Sequence, residues 1–419
     1  DKGSEFFTLT VRDLASGEDL PDRVEDTGGS GTWDSRSAGF FYSHLDESHR
    51  PSKLLYHRIG TDAGEDRLVY EESDPGFFMG VGKTQSGAYL TIDIHDHETS
   101  ETWLIPAGDP TAAPRLVAPR ETGVEYSVED DGAGRLFILT NAGGAEDFRI
   151  VTALADEVLA SPGRETWRDL VPHKPGRLIL SHTLYAKHMV RLEREDGLPR
   201  IVVHRIADAV EHPISFAEEA YSLGLSDGYE FNTNRIRFSY SSMTTPAQVF
   251  DYDMETRERT LRKTQEVPSG HDTDAYVTRR IHAPAEDGET VPVTLLYRKD
   301  TPLDGSAPCL LYGYGSYGIT IPASFSTTCL SLVDRGFVYA IAHVRGGKDK
   351  GFRWYRDGRR EKKVNTFTDF IAAARHLASE NITSADRIVA QGGSAGGMLM
   401  GAVANMAPEA FGGIIAEGP

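Results

Sequence analysis

The stretch QGGSAGGMLMG (391–401) decides how the second part of this chain folds. Its first residues, Gly392-Gly393-Ser394-Ala395-Gly396, read G-x-S-x-G, a pattern that puts a serine on a sharp strand-to-helix turn where only small neighbours fit. Five residues alone are a weak pattern, but the surroundings supply the context. Residues 387–390 read as a strand, and the small-residue run 397–404 reads as a helix. Ser394 is therefore the candidate nucleophile, and a serine hydroxyl needs a base to take its proton. The Ala395 amide, at the helix start and favoured by the helix dipole, is a candidate donor to an oxyanion.

Working outward, the same alternation of strand and helix extends back to about Tyr276. VPVTLLYRK (291–299) alternates as a strand, and APCLLYGYGSYG (307–318) is a buried strand running into a loop of glycines and tyrosines. GFVYAIAHVRGG (336–347) repeats that form. NTFTDFIAAARHLASE (365–380) carries Phe367, Phe370, Ile371, Ala374 and Leu377 at helical spacing, with Thr366 and Asp369 expected as a capping box. Strands alternating with helices predict a mostly parallel α/β sheet. The Tyr312, Tyr314 and Tyr317 loop is the place to seek a second oxyanion donor, although it could equally cap the sheet.

Residues 1–269 read differently. Short alternating runs such as GAYLTIDIHD (87–96), GRLFILTNA (134–142) and NRIRFSYSS (234–242) are separated by Gly, Asp and Asn turns. Unit starts near Trp33, Phe78, Val124, Leu178 and Leu223 are 45, 46, 54 and 45 residues apart. Four short strands per ~45 residues predict the blades of a β-propeller. Five units are visible, and the first residues read as the tail of another. The expected division is a propeller over 1–269 and an α/β domain over 270–419.

Composition bounds the partners. The net charge of −19, from 63 acidic and 44 basic residues, disfavours nucleic acid and anionic membranes and favours cationic ligands. Two cysteines, Cys309 and Cys329, form no disulfide framework, which suits a cytoplasmic location. No metal or cofactor is expected. His95-Asp96-His97 ends a strand-like run, no glycine loop precedes a Lys-Ser/Thr pair, and RDGRREKK (356–363) reads as a solvated basic surface.

Several stretches carry a resemblance: LLYGYGSYG, LSLVDRGFVYAIAHVRGG, WYRDG, NTFTDFIAAA and GGSAGGMLMGAVANMAPEAF, with IHDHETSE, GAEDFRIV and SYSSMTTPAQVFDYDM in the repeats. Through them nearly the whole chain resembles the prolyl oligopeptidase family of serine peptidases, and within it the oligopeptidase B branch. The resemblance implies a seven-bladed propeller, incomplete here, followed by part of an α/β-hydrolase domain. It assigns the second oxyanion donor to the Tyr314 hydroxyl and makes Tyr317 a wall of the substrate site. It implies short, basic peptides as substrates, cleaved after Lys or Arg through an acyl-enzyme. Pro322 and Ser324 stand where that branch commonly carries a pair of aspartates, which counts against a secondary basic subsite.

The chain order of α/β-hydrolases is serine, acid, histidine. After Ser394 the 25 remaining residues hold no histidine and no aspartate, only Glu409 and Glu417 as acids. His343 and His376 precede the serine and read as structural. The chain is thus expected to be a fragment lacking its own base and inactive alone. Alternatives are a prolyl-type oligopeptidase, an acylaminoacyl-peptidase, or a propeller interaction module with an inactive hydrolase remnant.

Overall fold

The computed structural model describes residues 3–419. Up to Thr264 the described residues form five antiparallel sheets, each with its strands side by side in chain order. The first holds five strands, from Phe7–Arg12 to Arg67–Glu71. The other four hold four strands each, beginning at Phe78–Lys83, Tyr126–Asp130, Arg177–Leu184 and Ser222–Ser226. These starts fall within two residues of four of the five expected ones. Trp33 instead ends the long strand Asp19–Trp33, and Phe7–Arg12 pairs with that strand rather than standing apart.

Successive side chains of a strand point to opposite faces, so an apolar run in a blade buries residues on both sides. In Arg135–Thr140, Leu136 and Ile138 enter a core with Val128, Val151 and Leu104. The Tyr126 hydroxyl shows how buried polar groups are satisfied. It donates to Ala118 O (2.7 Å) and accepts from Thr102 N (2.8 Å). Ala155–Ala160 is the one α-helix among the described residues before Thr327.

From Tyr276 onward the architecture changes to one six-stranded mixed sheet. Its strands are β1 (Tyr276–Pro284), β2 (Thr290–Arg298), β3 (Cys309–Tyr312), β4 (Val338–Ala342), β5 (Ile388–Gly393) and β6 (Gly413–Glu417), in the order β1-β2-β4-β3-β5-β6. β1, β2 and β4 pair antiparallel, whereas β4, β3, β5 and β6 run parallel. Helices α1 (Thr327–Val333), α2 (Phe352–Arg356), α3 (Val364–Ser379) and α4 (Ala395–Met406) complete this region. Phe370, Ala374 and Leu377 of α3 and Leu399 and Val403 of α4 pack with Val293, Leu311 and Ala340 of the sheet. The chain therefore has a propeller-type N-terminal region followed by part of a hydrolase domain.

Backbone contacts gather the chain into two compact units. One holds the chain up to His173 with His182–Met189 and Tyr229–Thr233; the other holds Lys174–Ser181, Val190–Gly228 and Asn234–Pro419.

One expectation is corrected here. Thr366 and Asp369 do not cap α3, which begins earlier, at Val364. Both are fully buried: Thr366 Oγ1 donates to Arg345 O (2.8 Å), and Asp369 Oδ2 accepts from Arg345 N (2.9 Å) and Nε (2.8 Å). Short polar side chains look alike in sequence whether they cap a helix or bind a distant arginine.

Candidate active site

The turn between β5 and α4 carries Ser394 at φ 54° and ψ −119°, a left-handed conformation that a non-glycine residue adopts only when its surroundings impose it. The imposing contacts are present. Ser394 N donates to Glu417 O of β6 (2.8 Å), and Ser394 O accepts from Gly397 N (2.8 Å) and Met398 N (3.3 Å). The side chain makes no capping hydrogen bond to α4 and is exposed, so its hydroxyl is not spent on the helix.

Glycines allow this turn to close. A Cβ on Gly392 would lie 2.5 Å from Gly396 O and 2.8 Å from Gly313 O; one on Gly396 would lie 2.7 Å from Gly313 O. These obstacles are backbone oxygens, which cannot step aside as a flexible side chain can. Strand β5, helix α4 and the end of β3 therefore meet only because both residues lack a side chain.

Tyr314 lies at that meeting point. Parallel pairing sets Tyr312 of β3 opposite Gln391 of β5, and Gly313 N donates to Gln391 O (3.1 Å). Tyr314 Cα and Cδ2 come within 3.5 Å and 3.6 Å of the position a Gly396 Cβ would take, so its half-buried ring packs on the first turn of α4. Ala395 is the first residue of that helix. Ser394, Ala395 and Tyr314 are thus brought together. Tyr317, also left-handed at φ 57°, is 74% exposed farther along the loop. Glu417 adds a carboxylate nearby: its Oε1 accepts from Gln391 Nε2 (3.0 Å). Burial raises the Tyr312 pKa, and the Glu417 and Tyr314 charges add to the rise.

The tyrosine loop is held from beneath. Lys363 Nζ donates to Gly315 O and to Ser316 Oγ (2.7 Å), and burial lowers its pKa to about 8. This corrects the reading of 356–363 as a uniformly solvated run. Lys362 does remain at the surface, paired with Asp357 (2.7 Å). The alternating polar pattern gave no sign that one lysine turns inward.

Neither upstream histidine is part of this cluster. The buried His343 follows β4, with Nε2 2.8 Å from Thr294 Oγ1 and Nδ1 3.0 Å from Asp349 Oδ1. His376 lies on α3 beside a cavity shared with Thr368, Ile371 and Met406. The buried Arg345 joins the loop after β4 to α3. Burial disfavours its charge, but hydrogen bonds to Asp369 and Asp287 outweigh that and raise its pKa.

Such an arrangement presents an uncommitted serine hydroxyl beside a helix N-terminus and a tyrosine, which suits attack on a carbonyl with stabilisation of the resulting oxyanion.

Comparison with known proteins gives the family. Residues 1–265 match the prolyl oligopeptidase N-terminal β-propeller domain, and residues 323–419 match the prolyl oligopeptidase family. The chain is 43% identical over 411 residues to dipeptidyl aminopeptidase BI of Pseudoxanthomonas mexicana, covering 98% of this chain and 56% of that protein. It is 35% identical to protease 2 of Moraxella lacunata, covering 98% of this chain and 58% of that protein. The solved structure of oligopeptidase B from Leishmania major superposes with a TM-score of 0.89 at 33% identity, covering 98% of this chain and 58% of that one. Oligopeptidase B from Trypanosoma brucei with covalently bound antipain gives a TM-score of 0.86 at 37% identity, covering 94% and 56%. The chain spans somewhat more than half the length of these relatives.

Proposed function

Because the chain belongs to the prolyl oligopeptidase family, we propose that it carries the nucleophile of a serine peptidase that cleaves short peptides through an acyl-enzyme. The observation that carries this reading is the left-handed Ser394, whose hydroxyl caps no helix, at the start of a helix whose first turn packs on Tyr314. In the proposed reaction Ser394 Oγ attacks the scissile carbonyl while a base removes its proton. The Ala395 amide and the Tyr314 hydroxyl donate to the oxygen that becomes negative, and Tyr317 forms a wall for the peptide. The C–N bond then breaks as the leaving amine takes a proton, and water releases the acyl group. Residues 395–419 contain neither Asp nor His, so the 419 residues alone are expected to turn over negligibly.

Cleavage after Lys or Arg is the proposed specificity, supported by the likeness to two oligopeptidases B and by the −19 charge. A second reading, release of dipeptides from a free N-terminus, is favoured by the 43% identity to a protein named dipeptidyl aminopeptidase. Arg-ended chromogenic peptides with blocked and free N-termini separate the two. Turnover of the blocked peptide supports the first, and turnover of the free dipeptide alone supports the second.

The serine is tested in the full-length gene product. A fluorophosphonate should label one site, lost in Ser394→Ala, and kcat should fall by ~10⁴-fold or more. Undiminished labelling and turnover in that variant would reject serine chemistry at this elbow.

A further inference from the structure

A cavity of about 80 Å³ is lined by Arg194, Tyr221, Arg280, Thr320 and His343, with Pro322 in its wall. Arg194 comes from a hairpin strand of the fourth sheet, whose tip is tied down by the Gly197 N to Asp349 O hydrogen bond (2.7 Å). Arg280 comes from β1, and His343 follows β4. Thr320 and Pro322 continue the loop that carries Tyr314 and Tyr317.

Its polar lining is only partly satisfied. Arg194 Nε, Arg280 Nε and Thr320 Oγ1 are buried without a hydrogen-bond partner. The Arg280 side chain is 8% exposed; its Nη2 donates to the Asp196 carbonyl and lies 3.7 Å from Asp196 Oδ1. That carboxylate is largely in solvent; the buried Asp349 lies 3.0 Å from His343 Nδ1, and its Oδ1 makes no hydrogen bond to it or to either arginine. Two guanidiniums therefore share less than their complement of acceptors, a costly arrangement in a buried place. Burial holds the Arg194 pKa below the ordinary arginine value, opposed by Asp349. Burial lowers that of Arg280 too, against Asp196, Asp349 and Tyr221.

We propose that this cavity is a binding site for a small oxyanion, gripped by the Arg194 and Arg280 guanidiniums with Thr320 Oγ1 as a further donor. The fork of N–H groups on each arginine matches the geometry of phosphate and carboxylate oxygens. A single water needs ~10–15 Å³ of such space, so the cavity has room for a group several times larger. An anion there supplies the acceptors that the protein does not. Two sources share this chemistry, free inorganic phosphate and the carboxylate of a bound peptide; the second rests on the peptidase reading, the first does not.

The test uses the full-length protein carrying Ser394→Ala, so that binding is read without turnover. Inorganic phosphate titrated at constant ionic strength should raise the melting temperature saturably. Arg280→Met should weaken the apparent affinity by about tenfold or more, the scale of one lost charged hydrogen bond. Arg194→Met should lose the phosphate response and, freed of an unsatisfied buried charge, melt no lower than the parent without phosphate. N-acetyl-dialanine is compared with its amide: stabilisation by the acid alone identifies a peptide carboxylate as ligand, and a response to phosphate alone identifies a free anion. No response to either, or equal responses in the parent and both arginine variants, would overturn the site.

Discussion

The sheets before Thr264 and the sheet after Tyr276 offer two uses of glycine, at Gly134 in the first and at Gly392 and Gly396 in the second. In the propeller region Gly134 has φ 96° with nothing within 4 Å of where a Cβ would be; it serves a turn. In the hydrolase region Gly392 and Gly396 are walled in by backbone oxygens at 2.5 to 2.8 Å; they serve close packing of the site. The hydrolase sheet uses each strand once, and its turns carry the chemistry. The difference teaches that a substitution should be expensive where backbone walls in the missing Cβ and cheap where that place is open.

The sharpest break of this contrast would come from Asp369. It is fully buried and holds Arg345 through three hydrogen bonds. Asp369→Asn leaves that guanidinium with only the half-exposed Asp287 as charge partner and is expected to cost about 3–5 kcal/mol in denaturant unfolding. A loss below ~1 kcal/mol would mean that Asp287 alone can compensate Arg345, and that the region tolerates local change after all.

Next in size is Gly392→Ala. Forcing a Cβ toward Gly396 O and Gly313 O should cost about 2–3 kcal/mol, the range of overpacked sites, and shift Ser394. Fluorophosphonate labelling of the full-length variant should fall far more than its circular dichroism changes. Normal labelling would show that the elbow does not depend on that close approach.

These residues also show what was legible in the sequence. The propeller could be read because period-two strands recur at about 45 residues, a signal carried by many positions at once. The elbow could be read because its motif lies between a recognisable strand and helix. Asp369 was misread because its partner, Arg345, is 24 residues away and only the fold joins them. Lys363 lay in a run of basic residues with no mark that its amine reaches back to Gly315. Arg194 and Arg280 belong to a propeller hairpin and to β1, and no local pattern links two such arginines into one cavity.

At the open glycine of the propeller side the expected effect is smaller. Gly134→Ala puts a side chain into open space but at a φ that L-residues avoid. Thermal unfolding should report a loss of about 1–2 kcal/mol, the strain of that conformation alone. A loss as large as that of Gly392→Ala would erase the distinction between turn glycines and packing glycines.

The last and smallest effect sharpens the comparison through pH. Glu211, in the fourth sheet, accepts from Arg191 Nη1 (2.6 Å) and Nη2 (2.9 Å), and its Oε1 is 3.0 Å from His204 Nδ1. Burial pushes its pKa up, but the hydrogen bonds from His204 and Arg191 outweigh it and bring the value down to about 2 from 4.5. A depressed folded-state value means that the unfolded chain binds the proton first as acid is added. The stabilisation by ionised Glu211 is therefore complete above pH ~4.5 and is lost progressively as pH falls toward ~2. Urea unfolding of the parent and of Glu211→Gln should differ by a constant amount from pH 7 to about pH 5. Below that the parent should lose stability faster, because glutamine has no proton to gain, and the two curves should converge. Curves that stay parallel down to pH 2.5 would show that Glu211 keeps its ordinary pKa, and that a repeated blade absorbs even a bidentate arginine pair without energetic trace.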